Sequence, residues 1–536
     1  MKNRTAERDR EAGVDHLSSL DASFLHLETP ETPMHVGSLH VLELPQGYCG
    51  DFYEAVKAQL ARRLHVARVL HRKLASMPFE MADPVWIEDE DIDIDYHVRR
   101  VMLPKPGTMA QLEAMAARLH SSLLDRSRPL WEMYIIEGLQ DGRIGYYSKV
   151  HHSGVDGKAG VELGKALFDV SPEPRVFDAP VRPKRGQYQL GMIEMLEANL
   201  RNAASQYANM ARMLPEAARA LSRVAADGLR VAGRMLGGKL KPAPKTIFNS
   251  SITNQRSFAT LSISLADLKQ LAKQHEATLN DVLMALCSTA LRNFLEERSS
   301  LPSEPLVAAV PVSLREKGDR SMNNQVTAML VGLATDIEDP AERLRAIRSS
   351  SDEFKDFLNR IKGAISTNFP LMGSPWIMSG LATLYGRSNL SDRLPAAANV
   401  LISNVPGSPV PLYLAGAKML NYFPVSIPYH GNALNITVQS YAGSLDFGLI
   451  SCRRVLPQSE LHSLAKHLKR AFAELGGLRA APEAAQQPVY TMPTAAVTQG
   501  KPRKTTPRKS GSGRRARATS HAARKHATDT TAQRNH

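Results

Sequence analysis

Two adjacent histidines followed by an Asp-Gly pair have the clearest chemical capacity in this sequence. They lie in the heptapeptide His151-His152-Ser153-Gly154-Val155-Asp156-Gly157, which has the pattern HHxxxDG. Four fixed positions of this kind arise by chance in about one chain in a thousand of this length. A histidine can take a proton from a hydroxyl near neutral pH, and an Asp-Gly pair can fix the backbone that presents it. The motif therefore predicts a general base.

The segments around the motif predict a strand-loop-helix transition. Residues 131–139 and 144–150 are rich in β-branched and aromatic side chains, and the Asp-Gly dipeptide between them is typical of a tight hairpin turn. Residues 158–170 have helical spacing. Because side chains alternate between the faces of a strand, we expect His152 to share a face with Tyr146 and His151 to point the other way.

Less specific roles remain open for parts of the motif. His151 is either a structural histidine or a participant in the chemistry. Asp156 either caps the following helix or forms a specific ion pair.

The length, the cysteines and the catalytic motifs that the sequence lacks narrow the class of protein. The 536 residues are long enough for two large domains, and the scattered Cys49, Cys287 and Cys452 have neither metal spacing nor a disulfide framework. We expect a cytoplasmic protein, because there is no apolar signal segment and no run long enough to span a bilayer. Phosphate-binding P-loop, GxGxxG, HExxH and GxSxG motifs are missing, which disfavours nucleotide hydrolysis, dinucleotide redox chemistry, zinc proteolysis and serine esterase chemistry.

The net charge of +14 is concentrated at the C-terminal end of the chain. Residues 501–536 contain eleven Lys or Arg and one acidic residue, so they carry +10 and leave +4 for the rest. The segment has no aromatic residue and predicts a disordered basic tail. It either solubilises the protein or contacts anionic lipid or nucleic acid.

The order of elements predicts an α/β fold, built from α+β layers, in two halves. We expect a flexible N-terminus at 1–15, an N-terminal half at 16–180, a linker with amphipathic helices at 181–245, a C-terminal half at 246–480 and the tail at 481–536. The N-terminal half should contain a strand over 34–44 and helices over 52–74 and 109–124. The C-terminal half should contain strands over 258–265 and 306–311, helices over 265–275 and 280–295, and a hairpin over 435–449. The Met- and Arg-rich helices at 189–236 either pack between the halves or touch a lipid surface.

Six short segments, taken in order, carry a resemblance to a known family. They are LSSLDASFLHLETPETPMHVGSL at 17–39, Pro129-Leu130-Trp131, HHSGVDG at 151–157, Asn280-Asp281, Pro311-Val312-Ser313-Leu314-Arg315, and Ser403-Asn404-Val405-Pro406-Gly407. Together they resemble the bacterial wax ester synthase/acyl-CoA:diacylglycerol acyltransferase family, and the resemblance extends from Leu17 to about residue 475. Ser408 departs from the family pattern, which often has a second proline at this position.

The resemblance implies a fold and a reaction. Two chloramphenicol-acetyltransferase-like halves would enclose a substrate channel, with long-chain acyl-CoA and the acceptor alcohol arriving from opposite sides. His152 would be the general base, His151 would support it, and Asp156 and Gly157 would orient the motif, with Arg315 as a candidate ion-pair partner of Asp156. No covalent acyl-enzyme, metal or cofactor is implied, since acyl-CoA is a substrate.

The remaining segments of the resemblance each have two interpretations. Asn280-Asp281 either caps a helix or assists at the site. Pro129-Leu130-Trp131 either belongs to the core or lines the acyl channel with Trp131. Ser403 and Asn404 either supply a polar group near a tetrahedral oxyanion or form a turn.

The expected function is transfer of a long-chain acyl group to diacylglycerol, to a long-chain fatty alcohol, or to both. The protein would work in the cytoplasm, peripherally associated with the inner membrane or with lipid droplets. Two alternatives stay open: a condensation-type acyltransferase with another hydroxyl acceptor, and a non-catalytic protein that binds a lipid surface.

Overall fold

The computed structural model describes residues 15–75, 84–155, 157–177, 243–313, 326–361, 392 and 396–477. The strands in these ranges are β1 Asp15–His16, β2 His35–Glu43, β3 Arg72–Ala75, β4 Val85–Glu88, β5 Val98–Met102, β6 Trp131–Glu137, β7 Ile144–His151, β8 Arg256–Ser264, β9 Val307–Ser313, β10 Val326–Gly332, β11 Val400–Val405, β12 Tyr413–Leu414, β13 Ala417–Val425, β14 Leu434–Tyr441 and β15 Ser444–Cys452. The helices are α1 Ser19–Leu27, α2 Phe52–Arg63, α3 Arg68–His71, α4 Ile94–His97, α5 Met109–His120, α6 Gly157–Leu167, α7 Leu265–Gln274, α8 Leu279–Glu296, α9 Pro340–Ile361 and α10 Gln458–Leu475. Two 3-10 turns occupy Leu64–Val66 and His152–Gly154.

One six-stranded sheet, in the order β12-β13-β2-β7-β6-β5, carries the histidine motif at the end of β7. The hairpin of β6 and β7 is buried along nearly its whole length, with Tyr134 opposite Tyr147. Gly142 in its turn has a φ of +75°, a left-handed conformation that glycine adopts without steric cost. The predicted hairpin is therefore confirmed, and its burial makes β7 a firm support for the motif.

A second six-stranded sheet, in the order β10-β9-β11-β14-β15-β8, forms the core of the C-terminal part. Strand β11 lies parallel to both β9 and β14, whereas the other neighbours are antiparallel. Helix α8 is buried on most of its surface and packs against this sheet and α10. The strands, helices and final hairpin predicted between 258 and 449 are all present, and the mixed α/β class is confirmed.

The two sheets do not follow the division of the chain into halves. Strands β12 and β13 come from the C-terminal part but extend the N-terminal sheet, where Met419 pairs with Leu42 and Val425 with Gly37. Polar contacts join the sheets further, since Glu113 on α5 accepts hydrogen bonds from the backbone and hydroxyl of Thr260 on β8 at 2.8 and 2.6 Å. The predicted boundary at 246 separates two segments of the sequence, but strand pairing and hydrogen bonds join the two segments in the folded chain.

The single helix predicted over 52–74 is wrong. Helix α2 ends at Arg63, and the chain continues through a 3-10 turn, the short α3 and the strand β3 of a small sheet ordered β1-β4-β3. Arg63 is buried and donates to Asp169 at 2.9 Å, so a contact made over 100 residues away fixes the end of the helix. Apolar periodicity continues past this point because α3 also faces the core.

Several expectations fall outside the described residues. These are the Met- and Arg-rich helices at 189–236, the tail at 481–536, Asp156 and Arg315. In the ranges that the structure does describe, no helix is both long and apolar enough to cross a membrane.

Candidate active site

His151 ends strand β7 and is held by its neighbours on both sides. It pairs with His35 of β2, and its backbone N–H donates to the carbonyl of Leu130 at 3.0 Å. Leu130 is itself fully buried. The segment Pro129-Leu130-Trp131 thus fixes the end of the strand from which the motif begins.

The imidazole of His151 is fully buried, with hydrogen bonds at Nδ1 and a carboxylate facing Nε2. The backbone N–H of Ser153 donates to Nδ1 at 3.1 Å, and the hydroxyl of Ser153 lies 2.7 Å from the same atom. Because Nδ1 accepts a backbone N–H, the ring proton resides on Nε2, which lies 3.2 Å from Glu28 Oε2. His151 therefore orients the motif and has no nitrogen free for a substrate.

Glu28, just after α1, is the acidic residue that anchors the motif. Its side chain is 4% exposed, and it accepts hydrogen bonds from the Met34 backbone and Arg126 at 2.9 Å each, in addition to facing His151. Burial by itself would raise the pKa of Glu28, but these partners outweigh burial and lower the pKa to about 2. Glu28 is consequently a carboxylate at any pH at which the protein works.

His152 is placed differently from His151. It opens the 3-10 turn, its backbone N–H donates to the Met34 carbonyl at 2.8 Å, and its half-buried ring stacks on Phe24 with centroids 4.1 Å apart. Burial lowers the pKa of His152 to about 4, and interaction with its own backbone carbonyl opposes this only in part. Among the described residues, Nε2 of His152 has no hydrogen-bond partner. A neutral ring with an unengaged nitrogen is what a general base requires.

The alternation of side chains between the two faces of β7 explains only part of the placement of the two histidines. Within β7 the faces alternate as predicted, with Tyr146 and Val150 in one core cluster and Tyr147 in another. The strand ends at His151, however, so the expectation that His152 continues the alternation is wrong. The 3-10 turn, closed through the Ser153 backbone, determines where His152 lies.

The remainder of the motif leads into helix α6. Gly157 is the first residue of this helix. Gly154 packs against Val69 and Trp86, and a Cβ at this position would lie 3.2 Å from Val69. Since Asp156 and Arg315 lie outside the described residues, their expected ion pair stays a prediction.

Trp131 belongs to the core. It is fully buried, its indole N–H donates to the Leu70 carbonyl at 3.1 Å, and its ring stacks on His97 with centroids 4.2 Å apart. The burial of Leu130 and Trp131 agrees with the core interpretation of Pro129-Leu130-Trp131, and a contact of Trp131 with the acyl chain stays a prediction.

Asn280 and Asp281 lie in the first turn of α8, but the capping residue is Thr278. The Thr278 hydroxyl accepts from the Asp281 backbone at 3.2 Å, and the Asp281 carboxylate accepts from the Thr278 backbone at 3.0 Å. This reciprocal arrangement is a capping box. Asp281 therefore has a structural role, whereas the exposed Asn280 is free to contact another segment.

That other segment is the one around Asn404. Ser403 and Asn404 are part of strand β11 rather than of a turn, and the Asn404 amide donates to Asn280 Oδ1 at 2.7 Å. Gly407 follows the strand, where a Cβ would lie 2.0 Å from the Ser440 carbonyl. The structure brings these two segments together, while no hydrogen bond or ion pair joins them to His151 or His152 in the described part of the chain.

A buried histidine network connects the motif to the C-terminal part. His35, the partner of His151 across β2 and β7, donates through Nε2 to the His120 carbonyl at 2.8 Å. His120 in turn donates through Nε2 to the Ser426 carbonyl at 2.9 Å, while its Nδ1 lies 2.7 Å from the Tyr147 hydroxyl. Burial lowers the pKa of His120 to about 3, so this histidine stays neutral.

The sequence alone does not indicate a role for Glu28, Phe24 or this network. Glu28 and Phe24 lie inside the segment 17–39 that contributes to the resemblance, but nothing in their spacing indicates a partner over 120 residues away. In the described ranges, no group of three or more His, Cys, Asp or Glu side chains is arranged to hold a metal ion.

Comparisons with known proteins agree with the geometry. Residues 17–283 match the wax ester synthase/diacylglycerol acyltransferase catalytic domain, and residues 322–476 match the corresponding C-terminal domain. A Mycobacterium tuberculosis H37Rv protein named probable diacylglycerol O-acyltransferase is 36% identical, with 86% of this chain and 99% of that protein covered. The O-acyltransferase WSD of Acinetobacter baylyi is 35% identical, with 87% and 98% covered.

Solved structures show the same fold. The wax ester synthase/diacylglycerol acyltransferase from Marinobacter aquaeolei VT8 is 30% identical with a TM-score of 0.60, covering 86% of this chain and all of that chain. The first condensation domain of the calcium-dependent antibiotic synthetase, at 16% identity and a TM-score of 0.52, covers 87% of this chain and 97% of its own, and it shares the fold. The chain belongs to the wax ester synthase/diacylglycerol acyltransferase family.

Proposed function

We propose that this protein transfers a long-chain acyl group from acyl-CoA to the hydroxyl of diacylglycerol or of a long-chain alcohol, with His152 as the general base. The observation that supports this most is the contrast between the two histidines. His151 is fully buried, with hydrogen bonds at Nδ1 and a carboxylate facing Nε2, whereas His152 is half-buried, neutral and unengaged at Nε2. This contrast favours His152 as the group that accepts a proton from a bound alcohol.

The proposed reaction is a direct transfer in a complex of both substrates. His152 Nε2 takes the proton from the acceptor hydroxyl as its oxygen attacks the thioester carbonyl. A carbon–oxygen bond forms, the carbon–sulfur bond breaks, and the imidazolium returns the proton to the departing thiolate, so that an ester and free coenzyme A leave. Such a base contributes roughly a hundred- to ten-thousandfold in rate.

The orientation of the ring supports this assignment. Nδ1 of His152 is buried without a hydrogen-bond partner among the described residues, so Nε2 is the nitrogen that can meet a bound hydroxyl. Stacking on Phe24 limits rotation of the ring. Glu28 and His151 act as positioning residues, because they fix the backbone immediately before His152.

The nature of the substrates leads to a further element of the proposal. Diacylglycerol and long-chain alcohols reside in lipid surfaces, so we expect the enzyme to bind the membrane or lipid droplets peripherally. The basic segment 501–536 suits an anionic surface, to which each cation adds about 1 kcal/mol.

The test is a product assay with the full-length protein. Purified protein receives labelled palmitoyl-CoA with dioleoylglycerol, with hexadecanol, or with no acceptor, and the lipids are separated by thin-layer chromatography. We expect triacylglycerol, wax ester or both, with no label retained on the denatured protein when the acceptor is omitted. Ester formation only with a water-soluble alcohol would favour the condensation-type alternative. Absence of any ester would contradict the proposal.

A further inference from the structure

A cavity of about 610 Å³ lies between helix α5 and the C-terminal part of the chain. Its wall on one side includes Arg118 and Ser121, and its wall on the other includes Asn254, Arg256 and Arg453. The volume lies within the range of sites for small ligands. We call it the arginine cavity, after Arg118, Arg256 and Arg453.

The three guanidinium groups have no carboxylate in ion-pair contact among the described residues. Arg256 is 3% exposed, and it donates to the backbone carbonyls of Thr253 and Glu31. Burial lowers the pKa of Arg256 to about 10, with Glu31 near enough to oppose the shift, so the group stays cationic at neutral pH. Arg118 and Arg453 are exposed. A buried arginine beside two unpaired ones makes a strongly positive cavity, which suits an anion with several oxygens.

The arginine cavity adjoins the histidine motif through two connections. Arg256 binds the carbonyl of Glu31, which lies in the short loop between Glu28 and Met34 that holds both histidines. On the other wall, Ser121 follows His120, whose carbonyl accepts from His35 beside the motif. The walls of the arginine cavity are therefore built on segments that also hold the histidine motif.

We infer that the arginine cavity binds phosphate groups of the acyl donor, namely the diphosphate and 3′-phosphate of coenzyme A. The inference rests on the proposed function and adds a location for the polar end of the donor. An arginine guanidinium can donate two hydrogen bonds to the oxygens of one phosphate, and Asn254 and Ser121 offer further polar groups. A phospholipid headgroup has the same phosphate chemistry, so the experiment must separate the two sources.

The experiment compares a donor that carries the 3′-phosphoadenosine diphosphate moiety of coenzyme A with one that lacks it. Steady-state rates are measured with palmitoyl-CoA and with palmitoyl-pantetheine, for the wild type, R118Q, R453Q and the double variant. Each lost charge-assisted contact should lower the ratio of kcat/KM for palmitoyl-CoA to that for palmitoyl-pantetheine by about tenfold or more. The control is R345Q, which removes an exposed arginine of α9 away from the cavity and should keep the wild-type ratio. An unchanged ratio in the double variant would overturn the inference.

Two further measurements keep the inference separate from the proposed function. Calorimetric titration with coenzyme A and with pantetheine tests binding even if no ester forms, and we expect the double variant to lose affinity for coenzyme A alone. Flotation with phosphatidylglycerol vesicles tests the other phosphate source. If the double variant loses vesicle binding while its affinity for coenzyme A is unchanged, the assignment to the acyl donor is wrong.

Discussion

Replacing Glu28 by glutamine tests whether this carboxylate anchors the histidine motif. The substitution keeps the size of the side chain but removes the charge that faces His151 and Arg126. A glutamine oxygen in the position of Oε2 can still accept from the Met34 backbone and face His151 Nε2. The NH2 group then takes the position of Oε1 and cannot accept from Arg126, so the guanidinium loses this acceptor. The side chain also no longer carries a negative charge beside His151.

The expected loss of stability follows from the pKa of Glu28. The shift from 4.5 to about 2 means that the folded state favours the carboxylate by about 3 kcal/mol at neutral pH. This stabilisation is fully present above pH 4.5 and is lost as the pH falls through 2. The E28Q variant should therefore unfold with a free energy about 3 kcal/mol lower at pH 7.5.

Activity should fall as well, because the motif loses its anchor. A displacement of about 1 Å at a reacting group can cost a hundredfold in rate, so we expect kcat/KM to drop between about ten- and a hundredfold. Urea unfolding followed by tryptophan fluorescence gives the stability, and release of coenzyme A gives the rate. The matched control is E43Q, which alters an exposed glutamate at the end of β2. Equal stability and equal kcat/KM for E28Q and E43Q would refute the reasoning.

Three other predictions follow from single groups. Burial lowers the pKa values of His40 and His120 to about 3, so the unfolded state binds more protons than the folded state between pH 6.5 and 3. Each histidine should therefore lower the free energy of unfolding by about 2 kcal/mol at pH 5. A fall in Tm from pH 7 to pH 5 is the measurement that checks this. Because the pKa of His152 is about 4, kcat/KM should show no inflection between pH 5.5 and 8.5, whereas a break near 6.5 would contradict the neutral buried base. Finally, G407A should lower the urea midpoint, since a Cβ at Gly407 meets the Ser440 carbonyl at 2.0 Å, whereas G164A should not, since a Cβ at Gly164 meets nothing within 4 Å. An unchanged midpoint for G407A would be inconsistent with this contact.

Local patterns in the sequence predict much of the support for the site. The hairpin of β6 and β7 follows from β-branched and aromatic residues around an Asp-Gly turn, and these signals act over a few residues. The helices at 265–274 and 279–296 follow from apolar periodicity and from the capping residues Ser264 and Thr278.

Long-range contacts account for what the sequence does not reveal. The break after Arg63 depends on Asp169, and the carboxylate that engages His151 comes from Glu28, 123 residues earlier. The pairing of β13 with β2 joins segments that are almost 400 residues apart. None of these partners leaves a periodic signal, because tertiary packing selects them.

The H152A variant shows whether His152 is the general base. Its ring is half-buried and makes no side-chain hydrogen bond with other described residues, so truncation should leave the urea midpoint close to that of the wild type. With palmitoyl-CoA and the acceptor that the wild type uses, we predict a loss of at least about a hundredfold in kcat. A folded H152A protein that forms ester at the wild-type rate would contradict the account.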